Sequence, residues 1–143
     1  MIENFIISMI TYICKVINVG WRANIGLVVP SSNRVCEQEF HKMAPEGVSI
    51  HTSRMLLVDV EKLSEMPMET AVKLVATAEP DLIVYACFVG SLLGGPGYDM
   101  YLSKKIEELT GIPALTAATA VLEAIKTLNI KRIAVILSND VQF

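Results

Sequence analysis

Cys87 follows directly after a short apolar run, in a position where a cysteine can act as a nucleophile. The run 81–86 has the composition of a buried strand, and glycines and small residues come after the cysteine. Unpaired backbone N–H groups and the dipole of a following helix stabilise a thiolate, so this position predicts a lowered thiol pKa. The alternative is a small buried hydrophobic side chain, the usual state of a free cysteine. Position alone leaves both interpretations open.

Three polar residues, Ser31, Ser32 and Asn33, follow the first apolar run, 25–29. As the last residue before a helix, Asn33 would ordinarily be a helix cap. Its amide and the two serine hydroxyls could instead bind a carboxylate. Ligands of open α/β sheets bind beyond the carboxyl ends of the strands, and the first and third strands of a flavodoxin-like order are neighbours. The pattern therefore predicts that Asn33 and Cys87 face one ligand.

Other polar or glycine-rich segments are weaker candidates. Residues 116–119 contain two threonines after the fourth predicted strand and could add to an anion site. Arg54, at the end of the second, could pair with a substrate carboxylate or remain a solvated surface charge. The stretch 94–97 lacks the spacing of a phosphate-binding loop, so we interpret it as a turn that folds over the site.

Cysteine, histidine and charge content exclude several classes of function. Three cysteines and two histidines occur without a C-x-x-C pair or metal-ligand spacing, so we predict no metal site and no disulfide framework. This cysteine usage favours a reduced, cytoplasmic location. With 12 basic and 15 acidic residues and no basic face, the chain is not expected to bind nucleic acid.

Short apolar runs and longer helical patterns alternate along the chain, and they must position the residues above. The expected strands are 25–29, 47–53, 81–86, 112–115 and 131–137, and the expected helices are 34–43, 68–79, 98–110 and 119–129. Such alternation predicts an α/β fold, with a flavodoxin-like parallel sheet of about five strands and helices on both faces. Residues 22–143 are long enough for one such domain.

Residues 1–21 differ in composition from the rest. Polar residues recur every three or four positions between 4 and 18 in an otherwise apolar run, which predicts a helix with one narrow polar stripe. Lys15 interrupts the run, whereas a membrane span needs roughly 20 apolar residues. A secretory signal would begin with basic residues. We interpret 1–21 as an apolar, helical N-terminal extension; membrane association and a degenerate signal are the alternatives.

Two segments together resemble the maleate cis-trans isomerases, a family of the aspartate/glutamate racemase superfamily. In the first, 24–33, a strand leads into Pro-Ser-Ser-Asn. The second is 85–91 with the following 95–98, similar to the segment that carries the first catalytic cysteine of the family. The likeness extends from about Arg22 to Ile136. Both segments occur in the family's order and each follows a predicted strand, which makes the match specific.

The resemblance implies a chemistry that needs no cofactor. Cys87 would be the thiolate that adds to one alkene carbon of maleate, which breaks the π bond and permits rotation before elimination releases fumarate. Asn33 would hold a carboxylate of this small dicarboxylate. The implied substrate-binding set also contains four residues in the same two segments: Ser31, Ser32, Phe88 and Val89.

In the family this stretch is the first of two pseudo-symmetric α/β domains, and the site lies between them with a cysteine from each. The chain reaches 137–143 where the family would continue into a tyrosine-bearing loop, so we expect a truncated half with little or no activity alone. The alternatives are an amino-acid or hydantoin racemase, an arylmalonate decarboxylase, and a non-catalytic fragment. An uncovered cleft face would also favour a homo-oligomer.

Overall fold

The computed structural model describes residues 9, 19–56 and 65–136. Its four strands are β1 (Ala23–Pro30), β2 (Val48–Met55), β3 (Leu82–Tyr85) and β4 (Ala114–Thr116). Its helices are α1 (Cys36–Met43), α2 (Glu65–Ala76), α3 (Phe88–Leu92), α4 (Tyr98–Thr110) and α5 (Ala117–Thr127). Within these described residues, every helix is too short or too polar to cross a membrane.

All four strands are parallel, and they lie in the order β2-β1-β3-β4. Ile25 of β1 pairs with Ile50 on one side and with Leu82 on the other, so β1 is central. A parallel strand covered on both faces needs a continuous apolar sequence, which 25–29 provides. The order is that of the first four strands of a flavodoxin-like sheet, and the predicted fold class is confirmed.

The buried side chains form one cluster on each face of the sheet. Successive residues of a strand point to opposite faces. Val28 therefore packs in the cluster under α2 and α4, while Leu27 and Val29 pack in the cluster under α1. All three are completely buried, and each such burial contributes about 1.5–3 kcal/mol. Helices on both faces thus fix the carboxyl edge of the sheet, where the candidate residues lie.

Glycine sets both ends of α4, which has the predicted bounds. Gly97 before it and Gly111 after it have left-handed backbones with φ of 85° and 73°. The N–H of Gly111 donates to the carbonyl of Glu107 at 2.7 Å and closes the last turn. A residue with a Cβ is strained in that conformation, so the two glycines mark the ends of the helix in the sequence.

Two predicted elements are wrong. Residues 131–136 form no strand, and their apolar side chains are exposed, Ile136 by 96%. A parallel strand needs a neighbour to bond with, and β4 offers only three residues; the described sheet therefore has four strands, not about five. The second is the glycine-rich stretch 87–97, whose composition predicts a loop throughout, whereas residues 88–92 form α3. Most of the predicted extension 1–21, and Leu137, lie outside the described residues.

Candidate active site

Cys87 lies between the end of β3 and the first turn of α3. It is the N-cap residue of that helix, and its Sγ accepts a hydrogen bond from the N–H of Gly90 at 3.4 Å. The carbonyl oxygen of Cys87 accepts from the Ser91 hydroxyl at 2.7 Å. Ser91 is completely buried. These bonds fix the backbone on both sides of the sulfur, so the thiol has a defined direction.

Burial raises the pKa of the Cys87 thiol, because desolvation of the thiolate outweighs the stabilising bonds from the Gly90 N–H and the Tyr85 hydroxyl. The side chain is only 7% exposed and belongs to the core cluster under α2 and α4. The predicted lowering of this pKa is therefore wrong. α3 has only five residues, which give a weak dipole, and the neighbouring core excludes water from the sulfur.

Tyr85 is a site residue that the sequence interpretation missed. Its phenol is 2% exposed, and burial raises its pKa, so the hydroxyl stays protonated and can donate to the thiol. The sequence could have indicated Tyr85, because residues two apart along a strand point to the same face and Tyr85 comes two residues before Cys87. Gly90 completes the arrangement. A Cβ there would lie 2.5 Å from the tyrosine Oη and 3.0 Å from Sγ, so only glycine fits without displacement.

Asn33 bonds to the start of α1. Its Oδ1 accepts hydrogen bonds from the N–H groups of Val35 at 3.0 Å and Cys36 at 2.9 Å. The predicted capping role is therefore only partly right: Asn33 bonds the amides at the start of α1, but Val35 holds the N-cap position and makes no side-chain cap bond. These bonds do not exclude ligand binding, because an amide also carries two Nδ2 hydrogens. Within the part of the chain that the structure describes, these hydrogens bond to no protein acceptor.

Arg54 is committed to protein oxygens. Its Nη1 donates to the carbonyls of Asn33 at 2.7 Å and Ser31 at 3.3 Å, and its Nη2 to Glu37 Oε2 at 2.7 Å. The hydrogen bond from Arg54 is the main reason why the pKa of Glu37 lies below its ordinary value. Arg54 is therefore an exposed side chain that is already engaged by protein oxygens, not an unengaged cation for a substrate carboxylate.

The loops that carry Asn33 and Cys87 leave neighbouring strands at the same edge of the sheet. Val28 of β1 pairs with Tyr85 of β3, and the N–H of Ala86 donates to the carbonyl of Val28 at 2.8 Å. The predicted adjacency of the first and third strands is confirmed. That the two side chains face one ligand stays a prediction.

A groove of about 750 Å³ lies between α3, the 95–97 turn and α5. Its lining is almost entirely apolar: Phe88, Val89, Leu92, Leu93, Gly95, Pro96, Gly97, Asp99, Ala118, Val121 and Leu122. Phe88 and Val89 of the predicted substrate-binding set therefore lie in this groove, whereas Ser31, Ser32, Asn33 and Cys87 are not part of its lining. The turn at 95–97 is confirmed, with φ of 80° at Gly95.

Asp99 is the acidic group of this groove, and the sequence analysis did not identify it. The residue is 8% exposed, and its Oδ2 accepts a hydrogen bond from the Thr119 hydroxyl at 2.7 Å. Thr116 caps α5 by accepting from the N–H of Thr119 at 3.2 Å. The predicted polar segment 116–119 thus bonds to itself and to Asp99.

Comparisons with known proteins agree with this geometry. A family model described as arylmalonate decarboxylase matches residues 25–141. A maleate isomerase of Pseudomonas putida is 35% identical over 78% of this chain and 51% of that protein. The structure of Nocardia farcinica maleate cis-trans isomerase bound to TRIS shares 31% identity, with a TM-score of 0.67 over 75% of this chain and 49% of that one.

A second structure of the Nocardia farcinica enzyme is a cysteine-to-serine mutant with a covalently bound succinylcysteine intermediate; it shares 29% identity with a TM-score of 0.64, over 75% of this chain and 49% of that one. The chain spans about half the length of the curated relatives it matches. The resemblance to maleate isomerases within the aspartate/glutamate racemase superfamily is confirmed. From the match over residues 25–141, the chain belongs to the arylmalonate decarboxylase family.

Proposed function

We propose that this chain contributes Cys87 to a maleate isomerase-like reaction, the cis-trans isomerisation of a small unsaturated dicarboxylate. The observation that carries the proposal is the hydrogen bond from the Gly90 N–H to the Cys87 sulfur at the carboxyl end of β3, with the buried Tyr85 hydroxyl beside the same glycine and also favouring the thiolate. A core cysteine needs no such donors. A nucleophile does, because they stabilise its thiolate.

In this proposal, the Cys87 thiolate forms a C–S bond to one alkene carbon, and the other carbon takes up a proton. The resulting succinyl thioether has a single bond between the two carbons and can rotate. Removal of that proton and departure of the thiolate then restore the double bond in the trans form. The succinylcysteine in the Nocardia farcinica structure supports such an intermediate by similarity. Covalent catalysis here divides one difficult step into two easier ones.

The raised pKa of Cys87 makes proton loss the first requirement. A protonated thiol adds to an alkene poorly, so the reacting form is a minor fraction at neutral pH. Once the thiolate forms, the Gly90 and Tyr85 donors offset part of its desolvation. The proton for the opposite alkene carbon would come from a second group, which the family resemblance assigns to a cysteine of the other half.

The loop after β1 is proposed to hold a substrate carboxylate. Asn33 would donate from Nδ2 while its Oδ1 remains bonded to the start of α1. The side chains of Ser31 and Ser32 would add hydroxyl donors. Phe88 and Val89, at the beginning of α3, would enclose the substrate on the side of the groove. The proposal requires no cofactor, because breaking the π bond needs only the sulfur and a proton donor.

Protection of Cys87 from alkylation tests whether a dicarboxylate binds beside it. Iodoacetamide labelling of Cys87 should slow when maleate is present, while labelling of Cys36, the half-buried first residue of α1, should not change. Cys36→Ser is the matched control and should show the same protection. If the rate of Cys87 labelling is the same with and without maleate, even at maleate concentrations far above those of ordinary metabolites, the proposal is wrong.

A further inference from the structure

Arg54 connects three parts of the site region through a single guanidinium. The residue belongs to β2, and it bonds to the carbonyls of Ser31 and Asn33 and to the carboxylate of Glu37 in the first turn of α1. The ion pair between Lys105 and Glu69, in contrast, joins two helical side chains away from this loop. Arg54 thus joins a strand, a loop and a helix.

The sheet order places Arg54 and Cys87 on opposite flanks of this loop. β1 lies between β2 and β3, and the loop 31–33 continues from β1. Arg54 is the second-to-last residue of β2, on one side of the loop, and Cys87 comes after β3, on the other side. Met55 of β2 adds a second bond on the same flank as Arg54, since its carbonyl accepts from the Ser31 N–H at 2.8 Å. The loop is therefore bonded on the side away from the thiol.

Peptide geometry then determines where the N–H groups of the loop point. In a trans peptide the carbonyl and the following N–H point in opposite directions, and the described chain contains no cis peptide. Because the Ser31 and Asn33 carbonyls face Arg54, the N–H groups of Ser32 and Arg34 are directed away from it. Within the described residues neither N–H has an acceptor. The N–H groups of Ser32 and Arg34 therefore point away from β2 and are available to a bound anion.

We propose that Arg54 is a positioning residue of the site, which fixes the 31–33 loop so that its donors face a substrate carboxylate. The inference rests on the proposed function for the identity of that anion. Lysine should not replace it, because an ammonium is a point donor, whereas the planar guanidinium reaches several oxygens at fixed angles. Glu37 holds the second nitrogen of this fork in place.

Two variants and two readouts test the proposal on the full chain. Arg54→Met keeps most of the apolar stem, and Arg54→Lys keeps the charge. Lys105→Met is the matched control, since it removes the cation of the Glu69 ion pair. The first readout is hydrogen exchange of the Val35 and Cys36 amides, which Asn33 Oδ1 protects. The second is the maleate concentration that gives half-protection of Cys87 from iodoacetamide.

In Arg54→Met we expect both amides to exchange about tenfold faster and the half-protecting maleate concentration to rise about tenfold, the effect of losing roughly one charge-assisted hydrogen bond. In Arg54→Lys, the logarithm of each fold-change, in amide exchange and in half-protecting maleate concentration, should remain more than half of its value in Arg54→Met. Alkylation of Cys87 without maleate should stay within about twofold of the wild-type rate, which separates loop positioning from general unfolding. Lys105→Met should leave all three quantities unchanged.

Unchanged amide exchange in Arg54→Met would overturn the inference, as would full recovery by Arg54→Lys. Faster exchange with an unchanged half-protecting concentration would also overturn it, because Arg54 would then be structural only. If maleate protects Cys87 in neither wild type nor variant, the proposed function fails instead. The same protection assay with phosphate, an anion without an alkene, then decides whether Arg54 positions the loop for anions at all.

Discussion

Tyr85 and Cys87 lie in the same buried cluster at the end of β3, where the tyrosine hydroxyl acts to lower the pKa of the cysteine thiol. This relationship sets the chemistry of the thiol. Burial opposes the thiolate, while Tyr85 and the Gly90 N–H favour it, and burial is the larger effect. The site therefore holds a protonated thiol beside two preorganised donors, which stabilise the anion only after the proton has left.

Tyr85→Phe should raise the pKa of Cys87 further, because the variant removes one of the two donors and keeps the burial. The pH dependence of iodoacetamide labelling at Cys87 measures this directly, with a midpoint that moves to higher pH. Tyr101→Phe on α4, about half exposed, serves as the control and should leave the midpoint unchanged. A midpoint that stays constant or falls in Tyr85→Phe would show that the hydroxyl does not bond the sulfur.

Gly90→Ala should destabilise the fold and disturb the thiol together. The new methyl group would lie 2.5 Å from Tyr85 Oη and 3.0 Å from Cys87 Sγ, and overpacking of this kind costs about 1–3 kcal/mol. Urea denaturation gives the loss, and alkylation of Cys87 should change at least severalfold.

Gly111→Ala separates the two effects. Its left-handed backbone, with φ of 73°, costs an alanine about 1 kcal/mol, and no atom would lie within 4 Å of the new Cβ. This control should lower stability without altering the alkylation rate. Equal alkylation rates in both variants would mean that the close approach at Gly90 does not matter to the sulfur.

Arg54→Met should return the pKa of Glu37 to its ordinary range, since the arginine hydrogen bond is the main cause of its lowering. A carboxyl with a lowered folded-state pKa contributes stability above its unfolded pKa, and that contribution is lost as the pH falls through the folded-state value. The variant should therefore lose stability near neutral pH and little at low pH. Carbon-detected NMR titration of Glu37 measures the pKa, and an unchanged midpoint would contradict the ion pair.

Thr119→Val should cost about 1.5–3 kcal/mol, because it removes the hydrogen bond that the Thr119 hydroxyl donates to the buried Asp99 carboxylate at 2.7 Å. Thr77→Val is the matched control, an exposed threonine whose hydroxyl bonds the Leu74 carbonyl, with an expected change below about 0.5 kcal/mol. Urea denaturation compares the two. Equal losses would show that Asp99 does not depend on Thr119.

Local patterns predicted most of the sheet and helices. The bounds of α4 could be read from the glycines that flank it, because a left-handed backbone is a local requirement. The adjacency of β1 and β3 followed from the alternation of strand and helix, since few windings are available. The strand expected at 131–137 failed because pairing depends on a neighbour, which the apolar composition of the segment does not reveal.

The electrostatics of the site could not be predicted in the same way. A strand end before a helix indicated a lowered pKa for Cys87, but desolvation depends on core residues far away in sequence, such as Leu102 and Ile106. The role of Arg54 could not be predicted for the same reason, because its partners Glu37 and Asn33 lie 17 and 21 residues away in the sequence. Residue types located the candidate site, and tertiary contacts set its charges.

Peptide mapping by mass spectrometry after incubation with maleate tests the central claim most directly. The account predicts a slowly formed succinyl adduct on the peptide that contains Cys87, with solvent supplying the proton to the second alkene carbon. The adduct should be retained in Cys36→Ser, absent in Cys87→Ser, and formed more slowly in Tyr85→Phe near neutral pH. An adduct on Cys36 instead of Cys87 would contradict the account. So would a Cys87 that reacts with iodoacetamide but never with maleate.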